Sequence, residues 1–97
     1  MKHTMKSVFG PDIGRFISHK NALGYAYKSG TEALRNFDAF CTQKGVSENI
    51  LTREIVEEWC VKRPTEQHKT HIRRKAAIRH FALFLENEGH QAYLMPF

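Results

Sequence analysis

The sequence has 97 residues, enough for one domain, and its hydrophobic fraction of 41% and charged fraction of 26% argue against a disordered chain. No apolar stretch approaches the roughly 18 residues that span a bilayer, residues 1–6 lack the apolar core of a secretory signal, and two cysteines are too few for a disulfide framework. The low cysteine count predicts a reducing, cytosolic compartment, and the formal net charge of +5 makes this a small basic domain.

The first helix is predicted from Pro11 to Leu23. Its stripe positions recur at spacings of three and four residues, which is the helical period. They are Ile13, Phe16, Ile17, Lys20 and Leu23. Proline is accepted in a first helical turn, where its missing N–H removes no bond, and Gly24 ends the helix.

The second helix is predicted from Thr31 to Lys44, with Gly45 as its stop. Ser29 or Thr31 can cap its start, because either side-chain oxygen can accept a bond from a free backbone N–H. Its apolar stripe consists of Leu34, Phe37, Phe40 and Cys41.

The third helix is predicted to be short, from Thr52 to Val61. Thr52 is a good N-cap, and acids near the positive end of the helix dipole favour this start, namely Glu54, Glu57 and Glu58. The apolar face holds Ile55, Val56, Trp59 and Cys60. Trp59 is therefore expected to anchor the core, and Cys60, like Cys41, to be a small buried hydrophobe.

The fourth helix is predicted to be the longest, from Thr65 to Glu88, with Gly89 as its terminator. At 100° per residue, one arc is apolar and the opposite arc is cationic. The apolar arc holds Ala77, Ile78, Phe81, Phe84 and Leu85, and the cationic arc holds Lys69, Arg73, Lys75, Arg79 and His80. Ile72, Ala76 and Leu83 also fall on the cationic side, where they either contact a neighbouring helix or form an apolar strip. Because no segment alternates like a strand, we predict an all-α bundle of four or five helices.

Positive charge is concentrated between Lys62 and His80. Seven basic residues and one acid, Glu66, give this segment a charge of +6, while eight basic and nine acidic residues elsewhere sum to −1. The basic residues are Lys62, Arg63, Lys69, Arg73, Arg74, Lys75 and Arg79. Such a block is typical either of a solvated helix face or of a surface that binds a polyanion, and a cationic helix fits the major groove of DNA.

Motifs for catalysis are missing from the sequence, which has no nucleophile elbow, P-loop, dinucleotide-binding glycines or zinc-protease pattern. His68 and His71 are three residues apart, but no third ligand has a suitable spacing, so we expect no metal site. Glu57 and Glu58 are adjacent and would face different directions on a helix, which does not suit an acid/base pair. We therefore expect a protein that is not an enzyme and that needs no cofactor.

Taken together, these residues resemble the N-terminal core-binding domain of bacterial and phage tyrosine recombinases (integrases). The resemblance covers about Val8 to Pro96 and rests on three stretches, ALGYAYKSGTEALRNFDAFC, LTREIVEEWCVKRPTEQ and THIRRKAAIRHFALFLENEGHQAYLMP. The last stretch follows the family's order of Thr, Arg, Arg-x-Phe-Ala, Leu, Gly and Pro. Those positions are Thr70, Arg74, Arg79, Phe81, Ala82, Leu85, Gly89 and Pro96.

The resemblance implies a SAM-like bundle over residues 1–97 that grips one face of a DNA duplex, with residues 1–7 flexible and residues 90–97 beginning a linker. In the family, the second and fourth helices approach the major groove. The residues that match those positions are Lys28, Ser29, Thr31 and Arg35 from the second helix, and Lys69, Thr70, Arg73, Arg74 and Arg79 from the fourth. The helical wheel supports Lys69, Arg73 and Arg79 as outward-facing. Arg74 falls toward the apolar arc, where it can bridge to a backbone group or to a phosphate.

The resemblance also implies partners and a location. The partners are double-stranded DNA, the catalytic domain of the same recombinase and other recombinase protomers in a synaptic complex, and no membrane is involved. The location is the bacterial cytoplasm, at the nucleoid when DNA is bound. The family's catalytic residues lie in the other domain, so Tyr93 is not expected to be the nucleophile, and the chain is either a fragment of a longer recombinase or a free-standing remnant.

Two other functions remain open. A helix-turn-helix regulator would read an operator as a dimer and needs a tight turn before a short basic helix, whereas Arg63, Pro64 and Thr65 precede a long one here. A basic protein-interaction bundle would bind an acidic partner through the same cationic arc.

Overall fold

The computed structural model describes residues 5–24 and 28–94, apart from the side chain of Ser29, and the regular structure in these ranges is helical. The four helices are α1 (Gly10–Ala22), α2 (Lys28–Lys44), α3 (Arg53–Cys60) and α4 (His68–Asn87). Within the same ranges no strand forms, and one isolated parallel bridge joins Leu51 to Ala92. The predicted all-α class is confirmed. None of these four helices is long and apolar enough to cross a membrane.

The ends of the helices follow the local signals in most places. Thr52 caps α3, because its side-chain oxygen accepts a hydrogen bond from the N–H of Ile55 at 3.3 Å. Gly24, Gly45 and Gly89 follow α1, α2 and α4, each with a positive φ that a residue with a Cβ rarely adopts. These predicted stops are therefore confirmed.

The starts of two helices differ from the prediction. Helix α2 begins at Lys28, so Thr31 lies inside the helix and is not its cap, while the side chain of Ser29 lies outside the described residues. Helix α4 begins at His68 and not at Thr65. Pro64 and Thr65 form a turn instead, and the side chain of Glu66 is bound by Arg74, eight residues further along the chain.

The chain divides into two units, residues 1–49 with α1 and α2, and residues 50–97 with α3 and α4. In the first unit the rings of Phe9 and Phe37 lie 5.9 Å apart. The buried apolar side chains of this unit are Phe9, Ile13, Phe16, Ala33, Leu34, Phe37 and Cys41. Leu23 was predicted on the stripe of α1 but is 58% exposed, because the helix has already ended at Ala22. The organisation as a single domain stays a prediction.

A buried carboxylate fixes the segment that leads into α1. Asp38, in the middle of α2, accepts hydrogen bonds from the backbone N–H of Lys6 at 2.9 Å, from the N–H of Ser7 at 3.0 Å and from the Ser7 hydroxyl at 2.6 Å. The Ser7 hydroxyl oxygen in turn accepts a bond from the N–H of Phe9 at 3.1 Å. We expected residues 1–7 to be flexible; residues 1–4 lie outside the described residues, whereas Lys6 and Ser7 are held by Asp38.

In the second unit the core lies along α3 and α4. Its buried apolar side chains are Leu51, Val56, Trp59, Cys60, Ala77, Ile78, Phe81, Ala82 and Leu85. Trp59 is 2% exposed, which confirms its predicted role as a core anchor, and the predicted burial of both cysteines is also confirmed. The segment after α4 returns to the start of the unit, where the N–H of Tyr93 donates to the carbonyl of Leu51 at 2.9 Å. Residues 95–97, in the predicted linker, lie outside the described residues.

Candidate nucleic-acid interface

Helix α4 has one buried face and one exposed face, as the sequence predicted. Lys69, Thr70 and Arg73 are exposed, whereas Arg79 is half-buried and already has an interaction of its own. Ile72 is 47% exposed and Leu83 is 37% exposed, which favours an apolar strip among the cations over burial against a neighbouring helix. The outward direction predicted for Lys69 and Arg73 is therefore confirmed.

Arg74 lies on the buried face and binds the connection between α3 and α4. It is 4% exposed, and its guanidinium donates to both carboxylate oxygens of Glu66, from Nε at 2.5 Å and from Nη2 at 2.8 Å. Nη2 also donates to the carbonyl of Val61 at 3.0 Å, and Nη1 donates to the carbonyl of Trp59. Of the two roles that the sequence left open for Arg74, the structure shows the bridge to the backbone. Because four of its five N–H donors are used and it is buried, Arg74 does not belong to the exposed cations of this helix.

Glu66 is neutralised by this arrangement. Its carboxylate also accepts a bond from the N–H of Arg63 at 3.2 Å. The hydrogen bonds from the Arg74 side chain outweigh the opposing effect of burial and, together with the Arg63 N–H, lower the pKa of Glu66 to about 2. Glu66 is the one acid between residues 62 and 80, and because it pairs with a buried arginine it forms no ion pair with Lys62, Arg63, Lys69 or Arg73.

Four exposed lysines and arginines remain between residues 62 and 80, and we call them the cationic surface: Lys62, Arg63, Lys69 and Arg73. None of the four forms an ion pair with a carboxylate of the described residues. The first turn of α4 also contains no acid, in contrast to α3, which has Glu54 in its first turn. An anion that approached this side of α4 would therefore meet positive side chains and the positive end of the helix dipole together.

The predicted contact residues of α2 lie in the first unit. Lys28 and Arg35 are exposed and Thr31 is half-buried, and all three share one face of the helix at spacings of three and four residues. Within the described part of the chain, neither Lys28 nor Arg35 has an ion-pair partner. The start of α2 therefore adds two exposed positive charges, while the predicted contribution of the Ser29 side chain lies outside what the structure describes.

Cys41, Cys60 and His71 are held in settings that lower their reactivity. Burial, and after it the charge of Asp38, raises the pKa of Cys41 to about 12, and burial also raises the pKa of Cys60. Both thiols are therefore protonated at neutral pH, which removes the thiolate that a nucleophile or a metal ligand needs. The Nε2 atom of His71 lies 2.7 Å from the carbonyl oxygen of Cys60, so this ring nitrogen is engaged with the backbone.

The Glu66 carboxylate makes an acid-dependent contribution to stability. Its pKa falls from 4.5 in the unfolded chain to about 2 in the folded protein, so between these values the unfolded chain binds a proton that the folded protein excludes. This contribution is complete above about pH 4.5 and is lost as the pH falls through about 2. We expect the urea midpoint of the wild type to exceed that of Glu66→Gln at neutral pH, and the gap to close as the pH falls through this range.

A matched control is Glu57→Gln, which removes an exposed carboxylate that pairs with Arg53. An exposed ion pair contributes little to stability, so this variant should follow the wild type across the pH range. A gap between the wild type and Glu66→Gln that stays constant from neutral pH to about pH 2 would contradict the assignment.

Comparisons with known proteins do not place the chain in a family. It matches no protein-family model, no curated protein and no solved structure. The resemblance to recombinase core-binding domains therefore rests on the stretches quoted above.

Proposed function

We propose that the chain is the DNA-binding module of a tyrosine site-specific recombinase, which holds the recombination-site duplex as half of a clamp and performs no chemistry itself. The observation that supports it best is the cationic surface, where exposed lysines and arginines stand without acidic partners because Glu66 is paired with the buried Arg74. In this function the partners are duplex DNA, the catalytic domain of the recombinase and further protomers in the synaptic complex. The setting is the bacterial cytoplasm, at the nucleoid.

The physical basis of such binding is the release of counterions from DNA. Each phosphate that a lysine or arginine neutralises lowers the slope of log affinity against log salt by about 0.9. A half-clamp with few cations should therefore bind weakly and lose its affinity steeply as salt is raised. Because most contacts would be to phosphates, which carry no sequence information, the module alone should show little sequence preference.

Reversing two charges of the cationic surface tests the proposal. In Lys69→Glu combined with Arg73→Glu, we expect duplex affinity at about 50 mM salt to fall about tenfold or more and the salt slope to lose about 1.8, since two phosphate contacts are removed. Both side chains are exposed and have no ion-pair partner among the described residues, so the fold should be retained. Fluorescence anisotropy of a labelled duplex at several salt concentrations measures both quantities.

The matched control is Lys6→Glu combined with Lys44→Glu, which changes the net charge equally at exposed positions outside the proposed interface. Its salt slope should stay near that of the wild type. An equal loss in both double variants would show that affinity follows net charge and not this surface. A wild type that binds no duplex at low salt would remove the function itself.

A second candidate function is binding of an acidic protein partner. It is favoured by the exposure of Ile72 and Leu83, because apolar side chains among cations suit a protein surface better than a phosphate backbone. Competition by heparin without competition by duplex DNA would support it. A helix-turn-helix reader is less well supported, since the seven residues 61–67 between α3 and α4 exceed the tight turn of three or four residues in that motif.

A further inference from the structure

Arg63 lies in the connection between α3 and α4, outside the set of contact residues that the sequence predicted. Its N–H donates to the Glu66 carboxylate at 3.2 Å, and its carbonyl accepts from the N–H of Glu66 at 3.1 Å. Glu66 is itself held by Arg74, which is buried. The backbone of Arg63 is therefore fixed on both sides of its Cα by one neighbour, although the residue is exposed.

The side chain of Arg63 is also restricted. Its guanidinium carbon lies 5.2 Å from the centre of the Trp59 ring, and the guanidinium carbon of Arg74 lies 4.8 Å from the same ring. Trp59 is 2% exposed, so its ring is a rigid support within the core of the second unit. Contact with an aromatic ring limits the rotamers of a long side chain, which lowers the entropy that a later contact must remove.

The N–H donors of the Arg63 guanidinium lie in one plane. Those donors form the planar fork that matches two oxygens of a phosphate. The Arg63 side chain forms no ion pair with a described carboxylate, although its positive charge contributes to the low pKa of Glu66. Arg63 is therefore an exposed, pre-ordered cation that follows Lys62 in the chain and lies against the same Trp59 ring as Arg74.

We propose that Arg63 is a phosphate-contact residue of the DNA interface, pre-ordered by Trp59 and by the Glu66–Arg74 pair. This inference rests on the function proposed above and deepens it, because it moves part of the interface from α4 to the connection that precedes it. The interface then follows residues 62–73 and is not confined to a helix lying in a groove. Glu66 and Arg74 are positioning residues in this arrangement, since they act through Arg63.

The experiment compares two arginines of the second unit that differ only in their surroundings. Arg53 is also exposed, and its guanidinium lies 5.8 Å from the Tyr93 ring, but it pairs with Glu57 at 3.1 Å. Arg63→Gln and Arg53→Gln each remove one positive charge. We expect Arg63→Gln to weaken binding of a short duplex about threefold to tenfold and to reduce the salt slope by about 0.9, whereas Arg53→Gln should leave the slope unchanged.

The conservative variant Arg63→Lys separates charge from geometry. It should restore a slope close to that of the wild type, because the charge remains, with affinity below that of the wild type, because the planar fork is lost. Equal salt slopes for Arg63→Gln and Arg53→Gln would overturn the inference about Arg63. Duplex binding by the wild type would still support the proposed function in that case. A wild type that binds no duplex would overturn both.

A measurement on the wild type makes the test independent of any variant's folding. In a nitrogen-15 labelled sample, the Nε–H signal of Arg63 should shift as the short duplex is added and return as salt is raised. The Nε–H signals of Arg53 and Arg74 should stay in place, since the first lies outside the interface and the second is buried. An Arg63 signal that does not move in a duplex-bound sample would overturn the inference.

Discussion

Replacing Arg74 with alanine is expected to destabilise the protein by about 3–5 kcal/mol, the usual cost of removing one partner from a buried ion pair. The guanidinium satisfies both oxygens of Glu66 and two backbone carbonyls, those of Trp59 and Val61. Without it, Glu66 keeps a single bond, from the N–H of Arg63, in a side-chain position that is 5% exposed. The Glu66 carboxylate would therefore lose its counter-charge, and the two carbonyls would lose the donor that Arg74 supplies, at the same time.

The neighbouring residue provides the control. Arg73 is exposed and has no ion-pair partner among the described residues, so Arg73→Ala should change stability by no more than about 0.5 kcal/mol. Urea unfolding followed by far-ultraviolet circular dichroism measures both variants. Equal midpoints for Arg74→Ala and Arg73→Ala would contradict the network described for Arg74. The same pair also separates stability from binding, because Arg73 belongs to the cationic surface and Arg74 does not.

The second large effect is expected at Asp38. The Asp38→Ala substitution removes the acceptor that is shared by the backbone N–H groups of Lys6 and Ser7 and by the Ser7 hydroxyl. We expect the free energy of unfolding to fall by about 3 kcal/mol, because hydrogen bonds to a charged group are stronger than those to a neutral one. Asp38 is 2% exposed, so water cannot replace the carboxylate without rearrangement. Differential scanning calorimetry measures the loss. Hydrogen exchange at the Ser7 amide should accelerate in the same variant.

Glu32→Ala is the control for this experiment, because Glu32 is an exposed carboxylate on the same helix. Its free energy of unfolding should be close to that of the wild type. The stability of Asp38→Asn should lie between those of Asp38→Ala and Glu32→Ala, since the amide keeps one acceptor oxygen but loses the charge. An exchange rate at Ser7 that is the same in Asp38→Ala and Glu32→Ala would show that Asp38 does not hold the segment before α1.

The sequence predicted the features that are set by neighbouring residues. Thr52 caps α3, and Gly45 and Gly89 follow their helices in the expected conformation, because a cap or a stop depends on the few residues around it. The exposure of Lys69 and Arg73 also followed from the helical period alone, since the opposite arc of α4 is apolar.

The features that the sequence did not predict depend on partners far along the chain. Glu66 and Arg74 are eight residues apart across a helix start, and Ser7 and Asp38 are 31 residues apart, so no periodic pattern records either pair. From Pro64 and Thr65 the sequence predicted that α4 starts at Thr65. The helix starts at His68 instead, after the segment in which Glu66 pairs with Arg74. The support of the Arg63 side chain by Trp59 was missed for a related reason, because a connection between helices has no period that shows which side chains are supported.

The hydrogen bond between Tyr93 and Leu51 has a mechanical consequence. The bond joins the two ends of the second unit. A force that pulls residues 50 and 94 apart would therefore act on this bond before it acted on α3 or α4. The unit is therefore a closed loop whose helices are shielded from a pull on its ends for as long as the bridge holds. The cationic surface lies between those two ends, so it would stay in place under such a load.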